Sequence, residues 1–133
     1  MAGPGLRIGV ANEKQSALGA LTTRLLQAQG LKDRVMPNVR VQAPTADLLV
    51  NQMRTGSLDA VVVYAANTSQ VREAFTIVPV EGPGATAVQP FAVGKNSDHR
   101  YLMERLLSTL REAESRKRFE SAGFQWWTEE SGR

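Results

Sequence analysis

Between Leu58 and Tyr64 the chain reads Leu-Asp-Ala-Val-Val-Val-Tyr, a near-continuous run of β-branched residues. A strand of that composition fits a sheet covered on both faces, which is the situation of a parallel sheet between helices. The segments before it provide that cover. Leu6 to Ala11 alternates apolar and small residues and stops at Asn12-Glu13-Lys14, as a first strand entering a polar loop would. Ser16 then precedes Ala17 to Gln29, where Leu18, Leu21 and Leu25 repeat at helical spacing before Gly30 stops the pattern. Asn38 to Gln42 is a second strand. Thr45 stands where it can cap a second helix from Ala46 to Thr55, with Leu48, Leu49 and Met53 on its apolar side and Gly56 at its end.

Strand, helix, strand, helix, strand in that order requires right-handed crossovers and an open, mostly parallel α/β sheet with flanking helices. Beyond it, Thr68 to Ala74 reads as a short helix and Phe75 to Val80 as a further strand. Thr86 to Val93 has weaker alternation and carries Pro90, so it belongs at an edge or in a long connection. Asn96 or Ser97 is placed to cap a third helix bearing Leu102, Met103, Leu106, Leu107 and Leu110. A shorter fourth helix carries Phe119 and Ala122 and stops at Gly123. The organisation expected is a leader over residues 1–5, one α/β lobe over 6–127 with its C-terminal helices from about 97, and a frayed tail over 128–133.

A chain of 133 residues supports one such lobe with a hydrophobic core but not two. Its formal charge of +3 suits solubility and slightly favours anionic partners without making a nucleic-acid footprint. Cysteine is absent, which removes disulfides, thiolate chemistry and cysteine-bound metals together. No apolar run reaches membrane-spanning length, and the opening Met-Ala-Gly-Pro-Gly has neither the basic nor the apolar region of a signal peptide; if the parent protein is exported, its signal is expected upstream.

The same residues argue against catalysis. The single histidine, His99, sits at a polar helix start beside Asp98, where an exposed surface residue is the simplest reading. There is no Gly-x-Ser-x-Gly elbow, no phosphate-binding loop and no glycine fingerprint after the first strand. Asp33, Asp47, Asp59 and Asp98 have no evident pairing. What the sequence does supply is two helix starts directly after strands, at Ser16-Ala17-Leu18-Gly19 and Pro44-Thr45-Ala46-Asp47. Free amide N–H groups and the positive end of the helix dipole favour anions there, and in an open α/β sheet both loops lie beyond the carboxyl ends of the strands. Gly19 additionally lets something approach the backbone closely. Ordinary capped helices would give the same pattern, and Asp47 would neutralise its own helix dipole.

Taken in order, these segments resemble the second half of the periplasmic molybdate-binding proteins of ABC importers. That family has a strand running into a Gly-Asp-Pro-x-x-x-Pro-Ala-Gly type loop, where this chain has Val10 to Gly19. It then has a Val-x-x-x-Leu helix, where this chain has Ala46-Asp47-Leu48-Leu49-Val50. An Ala-x-x-Gly-Ile-Val-Tyr strand corresponds to Gly56 to Tyr64, and a closing Phe-x-x-x-Gly-Phe to Phe119 to Phe124. The likeness runs from Leu6 to Phe124. It implies a periplasmic-binding-protein-like lobe that binds a small tetrahedral oxyanion, molybdate or tungstate, with backbone contacts at Leu18, beside Gly19, and at Ala46, and a hydroxyl contact from Tyr64. No metal or other cofactor is implied. The partners would be the permease subunits of the importer, and the location periplasmic or otherwise extracytoplasmic.

Two departures accompany the resemblance. Ala17 and Leu18 replace the proline and alanine of the family loop, so a bulkier residue stands where the anion would approach. The family also draws further contacts from a first lobe that this chain does not contain. In a whole protein the segment after about Thr86 would return to that lobe, and Leu102, Leu106 and Leu110 would need another surface, a homodimer being one way to provide it. Two other functions stay open on the residues: a ligand-sensing effector domain of a transcriptional regulator, and a self-associating domain with no ligand.

Overall fold

The computed structural model describes residues 5–82 and 84–127. The expected leader up to residue 4 and the tail from Thr128 lie outside the described residues. The chain divides into two compact units, one ending at Ala87 and one beginning at Val88, where the sequence pattern placed a single lobe from residue 6 to 127.

The first unit is built on three strands, β1 (Ile8–Ala11), β2 (Val39–Ala43) and β3 (Ala60–Val61), in the spatial order β2-β1-β3 and parallel throughout. Helix α1 (Ala17–Ala28) and the short α2 (Lys32–Val35) connect β1 to β2, and α3 (Ala46–Arg54) carries the chain back across β1 to β3. The alternation of side chains along β1 divides the core. Ile8 and Val10 point to one face, where they pack with Val35, Leu26 and Leu31 from α1, α2 and their junction. Ala11 points to the other, with Ala43, Leu49 and Leu58. Helices thus cover both faces, as two crossovers of the same hand demand of strand order 2-1-3. Gly9 faces α3 on the second side, where a Cβ would lie 2.9 Å from Leu49 and 2.5 Å from Leu58; the missing side chain lets the helix sit close on the central strand.

Both long helices of this unit end the same way. Gly30 and Gly56 take left-handed φ values of 65° and 71°. The amides of Leu31 and Ser57 then reach back to the carbonyls of Leu26 and Gln52, at 2.8 and 3.0 Å, which closes each helix and turns the chain towards the next strand. A bidentate ion pair ties β1 to β3. The Arg7 guanidinium donates to both carboxylate oxygens of Asp59, at 3.0 and 2.7 Å, while the Arg7 amide donates to Asp59 Oδ2 at 2.8 Å and the Asp59 amide to the Arg7 carbonyl at 2.8 Å. These hydrogen bonds from Arg7, first through the side chain and then through the backbone, hold the Asp59 carboxyl at about 2, below its usual 3.8.

Several expected elements are corrected. The Leu58–Tyr64 run is a strand only at Ala60–Val61, at the edge of the sheet. Among the described residues it has β1 on one side and no strand on the other, and Val61 to Tyr64 are half-buried, yet both faces are covered as expected, Val61 and Val63 packing on one cluster and Val62 on the other. Phe75 to Val80 and Thr86 to Val93 form no strands, because no described strand pairs with them. Their apolar side chains are accordingly exposed, Val78 at 72% and Val88 at 53%. The expected helix over Thr68 to Ala74 is two short 3-10 turns, Ala65–Thr68 and Arg72–Ala74.

The second unit contains α4 (Arg100–Leu110) and α5 (Ala113–Ser121). Helix α4 starts at Arg100 with His99 as its cap, later than Asn96 or Ser97, although the Ser97 hydroxyl still accepts the His99 amide at 3.2 Å. Phe119 packs edge-on against Phe124 and against Trp126, each with ring centroids 5.9 Å apart, and the Arg116 guanidinium lies 5.4 Å above the Trp126 ring. Trp126 therefore closes a small aromatic cluster of its own unit, whereas Trp127 is half exposed. None of the described residues from Val88 onward is buried.

Candidate functional site

The carboxyl ends of β1 and β2 lie side by side, Ala11 paired with Ala43, and the Asn12 amide donates to the Ala43 carbonyl at 2.8 Å. The loops leaving these ends feed the starts of α1 and α3. Asn12 shapes the first of them. Its carbonyl accepts the amides of Gln15 and Ser16, at 3.3 and 3.0 Å, and its side-chain oxygen accepts those of Lys14 and Gln15, at 3.0 and 3.2 Å. The loop amides are thereby satisfied by one residue. Those of Ala17, Leu18 and Gly19, in the first turn of α1, meet no acceptor among the described residues, and Ser16 makes no side-chain cap. The first turn of α3 is alike: Thr45 occupies the cap position without a side-chain cap bond, and the amides of Ala46, Asp47 and Leu48 meet no acceptor among the described residues.

Three of the four sequence-predicted site residues meet in one cluster. Leu18 is buried beside Ala11, Ala43, Leu49 and Leu58, and Ala46 and Tyr64 pack half-buried against the same group. The Leu18 side chain is buried in this core cluster, so its bulk is taken up there. Tyr64 follows β3 and caps the turn at Ala65–Thr68, its carbonyl accepting the Asn67 amide at 3.0 Å. The Tyr64 hydroxyl has no hydrogen-bond partner among the described residues. Gly19 plays a different part. A Cβ there would run into the Asn12 carbonyl and stand 2.6 Å from the carbonyl oxygen of Ala11, so the backbone that approaches Gly19 is the chain's own. The glycine lets α1 start directly under the end of β1.

Asn12 was not singled out in the sequence, although an asparagine just after a strand and four residues before a helix cap is a recognisable loop former. Also unforeseen is a cleft of about 330 Å³ between α3 and residues 66–71. Asn67 crosses its mouth and donates through Nδ2 to Asp47 Oδ1 at 3.3 Å. His99 is exposed on the second unit. Among the described residues no three His, Cys, Asp or Glu side chains converge as a metal site would require, and no helix is long and apolar enough to cross a membrane.

In an open parallel α/β sheet, ligands bind at the carboxyl edge, which is where these two uncapped helix starts stand. Comparison with known proteins agrees: the family described as bacterial extracellular solute-binding protein matches residues 1–125, and the chain belongs to that family. It is a family of binding proteins rather than catalysts, whose members work outside the cytoplasmic membrane with ABC importers. A Haemophilus influenzae (strain Rd) protein, described as a binding protein with no ligand named, is 25% identical over 121 residues, which are 90% of this chain and 49% of that protein. The chain thus spans about half the length of this curated relative. No solved structure matches the chain with significance.

Proposed function

We propose that this chain is a lobe of a periplasmic or otherwise extracytoplasmic protein and that it binds a small tetrahedral oxyanion, molybdate or tungstate, for an ABC importer in the cytoplasmic membrane. The observation that carries the reading is the gathering of Leu18, Ala46 and Tyr64 against one core cluster, with unpaired amides in both adjoining helix turns and an unpaired phenol. The anion would receive the Leu18 and Ala46 amides and the Tyr64 hydroxyl, with the two helix dipoles supplying the positive field. Hydrogen bonds from neutral donors suffice to hold a dianion at such a place, without a cation beside it. Contacts from a second lobe would complete the site, so the affinity of this chain alone is low. Permease subunits are the partners in the whole protein. Exposed Tyr101, Leu102 and Leu106 on α4 support self-association as a second property of this chain.

Isothermal titration with molybdate, tungstate, sulfate and phosphate at low ionic strength tests the reading. Saturable heat with molybdate or tungstate is expected, and Tyr64→Phe should weaken it by roughly tenfold, the value of one hydrogen bond to a charged ligand. Absence of heat with all four anions from a folded sample would overturn it.

A further inference from the structure

We infer that the cleft between α3 and residues 66–71 is a second binding site, separate from the oxyanion reading, for a small hydroxylated carboxylate such as a sugar acid. Asp47, Val50, Asn51 and Arg54 stand three, four and seven residues apart on one stripe of α3, exposed except at Val50, and all four line the cleft. Here three of the four residues are polar, and the opposite wall adds Asn67, Ser69 and Gln70. A volume of about 330 Å³ accommodates a ligand of sugar size.

The two ends of the cleft differ in chemistry. Arg54 has neither an ion pair nor a hydrogen bond among the described residues, so its planar fork is free to take a carboxylate through two parallel bonds. Asp47 stands two helical turns away, about 10 Å along the axis, and offers acceptor oxygens to hydroxyl groups. Asn67 shares that end. Its Nδ2 donates to Asp47 Oδ1 at 3.3 Å, and its buried Oδ1 finds no donor among the described residues. A small rotation of this side chain would present the oxygen to a ligand hydroxyl and remove the cost of an unsatisfied carbonyl. A carboxylate at one end and hydroxyls over the next several ångströms is the pattern that matches both ends.

Titration of the isotope-labelled full chain, followed by amide nuclear magnetic resonance, tests this with D-gluconate, and with sorbitol and acetate as the halves of its chemistry. Gluconate is expected to shift the amides of residues 47–54 and 66–71 saturably, and sorbitol and acetate at least about tenfold more weakly. Arg54→Gln should weaken gluconate about tenfold or more, the value of a charge-assisted hydrogen bond, with the spectrum otherwise unchanged. Asn67→Ala, which removes the second anchor, should weaken it severalfold. Shifts absent from those two segments, affinity for acetate equal to that for gluconate, or binding indifferent to Arg54→Gln would each overturn the inference.

Discussion

Gly19→Ala separates two opposite expectations for one methyl group. Helix propensity alone makes the substitution stabilising, because alanine is favoured over glycine inside a helix by about 1 kcal/mol. The structure makes it destabilising. The new Cβ would collide with the Asn12 carbonyl and stand 2.6 Å from the Ala11 carbonyl oxygen, and both obstacles are main chain, which cannot step aside by changing rotamer. Relief requires α1 to move away from β1, where Leu18 is buried and Thr22 donates to the Leu18 carbonyl at 2.8 Å. Overpacking of this kind costs about 3 kcal/mol at the upper end of its usual range, which leaves a net loss of about 2 kcal/mol. With a urea dependence of about 1.5 kcal/mol per molar, the midpoint of unfolding should fall by about 1.3 M. Gly30→Ala is the control: no atom lies within 4 Å of its Cβ position, and only the left-handed φ of 65° opposes it. Its cost should be about 1 kcal/mol. A Gly19→Ala midpoint that rises by about 0.7 M, as propensity alone dictates, would refute the close approach of β1 and α1 on which the candidate site depends.

Two further predictions follow from the core and from the ion pair. Leu49→Ala removes a side chain with no exposed surface and should cost about 3 kcal/mol in urea unfolding, whereas Leu102→Ala, with Leu102 55% exposed, should change stability by less than about 0.5 kcal/mol. The Asp59 carboxyl is held at about 2 against its usual 3.8, so it binds protons less readily folded than unfolded. Its stabilising contribution is therefore fully present above 3.8 and is lost as pH falls towards 2; Asp59→Asn should flatten the melting temperature between pH 4 and pH 2, and an unchanged slope there would show that the ion pair does not report on folding.

The parts of the fold legible in the sequence are those whose cause is local. Helices α1 and α3 announce themselves through leucine spacing and through Gly30 and Gly56, and β1 and β2 through alternation, so their bounds differ from expectation by two residues at most. Phe75 to Val80 and Thr86 to Val93 have strand composition without a neighbouring strand, and pairing is a property of partners that composition does not carry. The run ending at Tyr64 is covered on both faces, as its β-branched residues suggested, with Val61 and Val63 on one side and Val62 on the other, but its place at the edge, with β1 alone beside it among the described residues, is again a property of partners. The Arg7 and Asp59 pair, 52 positions apart, was invisible because each residue reads locally as a solvated charge.

The candidate binding groups were legible to a different degree, and the reason is chemical. Leu18 and Ala46 contribute nothing through their side chains that an anion would seek; what they offer is an amide N–H, and every residue but proline has one. Such a donor is marked in the sequence only by its position, at a helix start directly after a strand, so the nomination of Leu18 and Ala46 depended on element order and not on residue type. Tyr64 is the single side chain in that set whose chemistry can be changed without disturbing the backbone. In the cleft beside α3 the reverse holds. Arg54, Asn67 and Asp47 carry their chemistry in their side chains, but their convergence depends on the turn at Ala65–Thr68 facing one stripe of a helix, a juxtaposition that no spacing along the chain encodes. A site made of main chain is found from topology, and a site made of side chains from different elements is found from the folded structure. The two places on this lobe therefore call for different variants: conservative removal of one hydroxyl at Tyr64, and removal of one charge at Arg54.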